Sequence, residues 1–385
     1  MTAQRLSELD ALRVIAIGLV LFTHLPDYLI GGLASSWATV AGSFSPGFYG
    51  IGLFFFVSGF VIYRNNTIRD RKSTITFFRK RVLRIYPLYW VALVILFFAS
   101  TRGVISNQAI TNHTIVNNTI TNYNLSPSTI VINIVGAQGI ASPRFVAPNL
   151  VLWFIGIILL FYLLYPLIAY FSYSVNYMVF AIVGSLAIFV LLHAFLGLVD
   201  FRFFVFYGTF VAGILSSKFG IFYGTNNKRF TSPYVVAVFL VATLALVLIA
   251  NSWLFLVIDI VVPSIPHLSI SVVVAIVISN ILVFLLAYFI FKVLRLFVPR
   301  MSAKALKLIS ALSFATYAVY LFNRPFLGAL EVFLAGSRLT PFVSDILIIL
   351  CGLPLLFLFS YIIQSAENGF ISALKRARPK IARQR

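Results

Sequence analysis

An all-α, polytopic membrane fold is predicted by three features of the 385-residue chain: 61% hydrophobic against 10% charged residues, apolar runs of bilayer-spanning length, and basic residues sorted by loop. Soluble domains run nearer half apolar and a quarter charged. A helix needs about 20 apolar residues to cross a bilayer, whereas outer-membrane strands alternate every second residue, and these runs do not alternate.

The formal net charge is +20. Nucleic-acid binding would need those cations clustered on a folded soluble face, and none is expected here. Lys and Arg gather instead at Arg5 and within 64–84, 218–229, 292–307 and 375–385. Each group flanks the same membrane face, which the positive-inside rule assigns to the cytoplasm together with both termini. The expected location is the cell membrane, multi-pass, with membrane lipid as a partner. Cys351 stands alone, so neither an intramolecular disulfide nor a cysteine metal site is available, and no metal is expected. Glu8 and Asp10 replace the basic stretch of a signal peptide, so the first segment is read as retained.

The first span covers 12–25 and is bent or ended by Pro26. A second, 48–63, carries Gly52, Ser58 and Gly59, small residues that permit close helix packing. Residues 64–84 interleave apolar and basic side chains, as expected of a helix lying in the interface ahead of a third span at 85–100. The Asn/Thr-rich stretch 101–148 holds Asn-x-Ser/Thr triplets at Asn112, Asn117 and Asn124; a further one at Asn65 falls on the opposite side, so the triplet alone proves little. Seven more spans follow at 150–170, 175–196, 203–217, 235–250, 269–291, 308–330 and 342–363, for about ten in all. Residues 253–262 are too few to cross and are read as extracytoplasmic or re-entrant. The organisation is thus one transmembrane domain, 1–370, and a basic cytoplasmic tail, 371–385.

Within the first span, Arg13 and His24 are eleven residues apart. On a helix that places them roughly 20° apart in azimuth and roughly 16 Å apart in depth, on one face. Both are costly in lipid and should look into the protein or a water-filled cavity. They define a polar track across the membrane.

Five blocks then occur in order: Leu9-Asp10-Ala11-Leu12-Arg13 with His24; Gly50 to Phe60; Phe77 to Trp90, including Arg79-Lys80-Arg81, Arg84 and Tyr86-Pro87; Trp153 with Phe161 to Pro166; and Ser313 to Pro325. Together they resemble the successive motifs of the membrane acyltransferase-3 family. The resemblance implies an integral membrane enzyme that moves an acyl group, usually acetyl from cytoplasmic acetyl-CoA, to a hydroxyl on a sugar or glycolipid across the membrane. On that pattern Ser58, Trp153, Tyr317 and Asn323 are expected to contact substrate, and Tyr86 joins the basic block as a donor contact.

The chemistry of the residues agrees. Transfer to an alcohol needs a base for the hydroxyl proton, and histidine is best matched to neutral pH, which singles out His24. A polyphosphorylated carrier needs cations, and guanidinium matches phosphate in a planar, bidentate way, which singles out Arg79, Lys80, Arg81 and Arg84, with Arg13 deeper in. Blander roles stand beside these: snorkelling to headgroups for Arg13, topology anchors for the cluster, a backbone-satisfied imidazole for His24. Asp27 could orient His24, and His193 and His267 read as interfacial. Two departures from the family pattern are apparent. Ile158-Leu159-Leu160 are apolar where many members carry acids, and Asn323 stands where histidine is usual. A rival function, a secondary transporter or lipid flippase, would use Arg13 for an anionic substrate and His24 for a proton, but the chain shows no repeats or matched broken helices.

Overall fold

A computed structural model describes residues 6–25, 29, 46–101, 127–142, 144, 152–222, 236, 238, 240–247 and 270–381. Pro26, Asp27, His267, the triplets at Asn112, Asn117 and Asn124, the segment 253–262 and most of the span expected at 235–250 lie outside them. The described residues are helical, with no strand. The long elements are α1 (Ser7–His24), α2 (Pro46–Asn65), α3 (Arg71–Thr101), then short α4 (Pro127–Ile134) and α5 (Gln138–Ala141). They continue with α6 (Trp153–Tyr170), α7 (Val175–Leu196), α8 (Arg202–Lys218), α9 (Ile270–Phe297), α10 (Ala303–Ala335), short α11 (Pro341–Leu347) and α12 (Leu353–Ile381). Among the described residues six helical segments are long and apolar enough to cross a membrane: α2, α6, α7, α9, α10 and the α11 to α12 run.

Helix α1 is central, packed against α2, α9 and α10. Its approach to α2 depends on glycine. A Cβ at Gly50 would come within 2.5 Å of the Ala16 carbonyl. Between α2 and α8 the requirement is mutual: a Cβ at Gly59 would meet the Phe210 carbonyl at 2.2 Å, and one at Gly213 would meet the Phe56 carbonyl at 2.1 Å. Small residues let helix backbones approach closely, and here both partners supply one. Phenylalanines fill the space around this contact, with Phe161 stacked on Phe210 at 4.7 Å and Phe55 edge-on to Phe161 at 5.0 Å.

Two expected boundaries change. The interfacial helix at 64–84 and the span at 85–100 form one rod, α3, that continues through Pro87. Proline there removes only the bond its own N–H would give Leu83, and the ladder resumes on both sides. The rod starts at a reciprocal cap, in which Asp70 Oδ1 accepts from Ser73 N (2.7 Å) and Ser73 Oγ accepts from Asp70 N (3.1 Å). The Ser73 hydroxyl, which also lies 2.7 Å from Asp70 Oδ1, and the Ser73 N–H hold the Asp70 carboxyl below its ordinary range, so the cap's contribution is present above that range and is lost as pH falls through the lowered value. The last expected span, 342–363, is α11, a π turn at Ile348–Gly352 and α12, which runs past residue 370 to Ile381.

His193, expected at an interface, is buried. Its Nδ1 lies 2.8 Å from the Val199 carbonyl, and since that oxygen only accepts, the imidazole donates. The contact holds a strained turn: Val199 is β-branched yet sits at φ +73°. That turn launches Asp200 and Arg202 at the head of α8.

Candidate active site

A cavity of about 650 Å³ opens among α1, α2, α3, α6, α10 and α12. Its mouth is cationic. Arg79, Lys80 and Arg84 project from successive turns of α3 and are exposed, while Arg81 is half-buried within. The Arg81 guanidinium lies over the rings of Phe77 (5.5 Å) and Tyr162 (5.6 Å), with a buried Nε that makes no hydrogen bond. Spacing of i, i+1, i+2 and i+5 turns these residues to different sides of the rod, so only part of the cluster lies deep.

The N-terminal end of α1 forms the adjoining wall. Arg13 donates from Nη1 to Asp10 Oδ1 at 3.1 Å, one turn below, and Ser313 Oγ of α10 donates to the same oxygen at 2.9 Å. Asp10 is buried and reaches the cavity lining together with both donors. Arg13 therefore does not snorkel into headgroups alone; it is held by a buried acid facing the cavity. Ser58 of α2 and Tyr317 of α10 complete this level, the Tyr317 hydroxyl donating to the Ile85 carbonyl at 2.8 Å.

Phe154 and Tyr320 line the far end. One turn beyond Tyr320 on α10 stands Arg324, whose Nη2 is 3.2 Å from His24 Nδ1. The Tyr320 phenol lies in the fields of both Arg324 and Arg202. Arg202 in turn pairs with Asp200 through Nε at 2.8 Å and through Nη2, and covers the Trp153 ring at 4.6 Å. Both ends of the α1 stripe thus meet α10, Arg13 through Asp10 and Ser313, His24 through Arg324.

A family model described as an acyltransferase domain, Acyl_transf_3, matches residues 6–364. The chain belongs to the acyltransferase-3 family. No curated protein and no solved structure matches it.

Of the residues singled out in the sequence of this acyltransferase, Arg13, Ser58, Arg79, Lys80, Arg81, Arg84 and Tyr317 share the one cavity. His24 stands beyond its far end. Three others do not line it. Tyr86 tethers α3 to the turn that follows α4, its hydroxyl donating to the Val135 carbonyl at 2.6 Å. Trp153 is capped by Arg202 and stacked on Phe206. Asn323 is buried and donates back to the Tyr320 (2.6 Å) and Val319 (3.2 Å) carbonyls of its own helix.

Other residues of the site escaped the sequence reading. Ile158 is part of the cavity wall and offers no carboxylate, but α12 brings one close: Glu367 is buried, accepts from Gln364 Nε2 and faces Arg84. It lies three residues beyond the family match. Gln364, Asn368 and Ile371 of the same helix line the cavity. The available signal for Glu367 was a lone acid just past the last expected span, and for Arg324 a charge inside an apolar run. No group of three His, Cys, Asp or Glu able to hold a metal occurs among the described residues.

Proposed function

We propose that the protein is an O-acyltransferase that carries an acyl group, acetyl in the first instance, from cytoplasmic acyl-CoA to a hydroxyl of a cell-envelope or secreted glycan or glycolipid. It works from the cell membrane as a multi-pass protein of about ten spans with both termini in the cytoplasm. The observation that carries this reading is the cavity: cations at one end, and the stripe of α1 leading from Arg13 to His24 at the other.

The exposed cations receive the carrier's phosphates, and the thioester reaches inward past Ser58 and Tyr317 towards Tyr320. His24 takes the hydroxyl proton as the acyl carbon to oxygen bond forms and the carbon to sulfur bond breaks. Summed over the reaction, that proton ends on the thiol of CoA. A positioned base contributes about 10²–10⁴-fold to such a step.

Purified protein in detergent or nanodiscs, given radiolabelled acetyl-CoA and an extract of envelope glycans, tests it. Label moving to glycan with release of CoA, lost in His24→Ala without loss of membrane insertion, is the expected result. Flux of an anion through liposomes with no CoA released would replace the enzyme by a transporter.

A further inference from the structure

His24 Nδ1 is met by a guanidinium, that of Arg324, and this is the wrong sign for a group whose only task is to orient a base. Arginine carries five N–H donors, no acceptor, and does not lose its proton in proteins. The 3.2 Å contact from Arg324 Nη2 therefore requires a lone pair on His24 Nδ1, and a neutral imidazole with that lone pair carries its proton on Nε2. Nδ1 is the basic nitrogen, and Arg324 is placed against it.

Arg324 also stands one turn beyond Tyr320, which lines the far end of the cavity, and its charge acts on the Tyr320 phenol. A thioester carbonyl coming up the cavity past Tyr320 meets this guanidinium as it reaches His24. We propose that Arg324 is the oxyanion-stabilising residue of the acyl transfer. The inference rests on the O-acyltransferase reading given above.

In the resting protein Arg324 donates to Nδ1. When the thioester arrives, its carbonyl oxygen takes over that N–H, and the Nδ1 lone pair is released to the acceptor hydroxyl. As the alcohol oxygen bonds to the acyl carbon, its proton passes to Nδ1 and the carbonyl electrons move onto the oxygen held by Arg324. Collapse of that oxyanion expels the thiolate, which takes the proton from His24. No other reactant is required. The arrangement keeps the base occupied until an acyl group is in place. A donor aimed at developing oxyanion charge is worth about 10²–10³-fold in kcat.

The test uses purified full-length protein, acetyl-CoA and the glycan acceptor. Arg324→Met is expected to lower kcat about 10²–10³-fold with KM for acetyl-CoA within about twofold. Arg324→Lys, which keeps the charge without the planar fork, is expected to recover part of that loss. Because the two groups act as a unit, His24→Ala and Arg324→Met combined should cost little more than either alone. Elution as a monodisperse species and an unchanged thermal midpoint establish that the variants fold; if Arg324→Met does not fold, Arg324→Lys against wild type carries the comparison. Wild-type turnover with kcat unchanged in the folded variant, or a loss confined to KM, overturns this inference alone. No wild-type turnover with acetyl-CoA overturns the parent reading with it.

Discussion

Ser313 and Asp10 are 303 residues apart in sequence and 2.9 Å apart in space, the serine hydroxyl donating to a carboxylate oxygen that also receives Arg13. That one oxygen joins the N-terminal end of α1 to α10 and sets the height of Arg13 in the cavity wall. Asp10→Ala removes the acceptor of two donors at a buried site, at a cost of about 1–3 kcal/mol. Ser313→Ala removes one bond to a charged group and should cost less. Thermal unfolding in detergent should rank wild type above Ser313→Ala and Ser313→Ala above Asp10→Ala. Equal midpoints for all three would mean that the link carries no stability.

The α2 to α8 contact gives a sharper stability test. At Gly59 and Gly213 a methyl group would press on backbone carbonyls at 2.2 and 2.1 Å, and backbone cannot rotate aside as a side chain can. Gly59→Ala or Gly213→Ala must therefore push the helices apart and loosen the phenylalanine layer beside them. Overpacking of this kind costs about 1–3 kcal/mol, occasionally more. Gly184, with nothing within 4 Å of its built Cβ, is the control: Gly184→Ala should leave the unfolding midpoint unchanged or raise it, since alanine is the better helix former.

These contacts mark how far the sequence was legible. The span expected at 175–196 coincides with α7 because an unbroken apolar run is closed by Gly197, which adopts φ +63° as a left-handed cap. Gly59 and Ser58 announced close packing, but not that Gly213 would answer from α8, because hydropathy has no term for which helix lies opposite. Arg13 and His24 were readable as one stripe from helical geometry. Their partners were not: Asp10, Ser313 and Arg324 pair across folds of the chain. The π turn at Ile348–Gly352 was silent for a related reason, since inserting a register shift alters no residue's polarity. Tyr86 and Trp153 stand outside the cavity lining in a way the sequence could not show, because aromatic motif residues serve equally well as tethers, and here one donates to the Val135 carbonyl just after α4 and the other lies under Arg202.

Asn323 provides a test of that distinction. Its amide is turned back onto its own helix, away from the cavity. Asn323→Ala should alter the midpoint of unfolding by about 1 kcal/mol or less, given the modest net value of such bonds within membranes. Its KM for acetyl-CoA should match wild type. A KM shift of tenfold with unchanged stability would place Asn323 in the substrate-binding set.

The cationic mouth should show two kinds of cation. Arg79, Lys80 and Arg84 are exposed, so any phosphate they meet is met in water, where a charge pair is worth about 0.2–1 kcal/mol and is screened by salt. Replacing each by alanine should raise KM for acetyl-CoA by no more than about fivefold. Raising the ionic strength from about 0.1 M to about 1 M shortens the Debye length from about 10 Å to about 3 Å and should do the same to wild type. Arg81 is different. Its guanidinium is held between Phe77 and Tyr162 with a buried Nε that has no hydrogen bond, so a ligand oxygen reaching it would make a charge-assisted bond out of bulk water, worth about 1.5–3 kcal/mol. Arg81→Ala should therefore raise KM by about tenfold or more, and the residual salt dependence should survive because the exposed cations remain. An uncharged thioester such as S-ethyl thioacetate has no phosphate to lose, so its turnover should respond neither to salt nor to Arg79→Ala. If none of the four substitutions shifts KM for acetyl-CoA, or the uncharged donor responds like acetyl-CoA, the mouth acts as a topology anchor and the phosphates bind elsewhere.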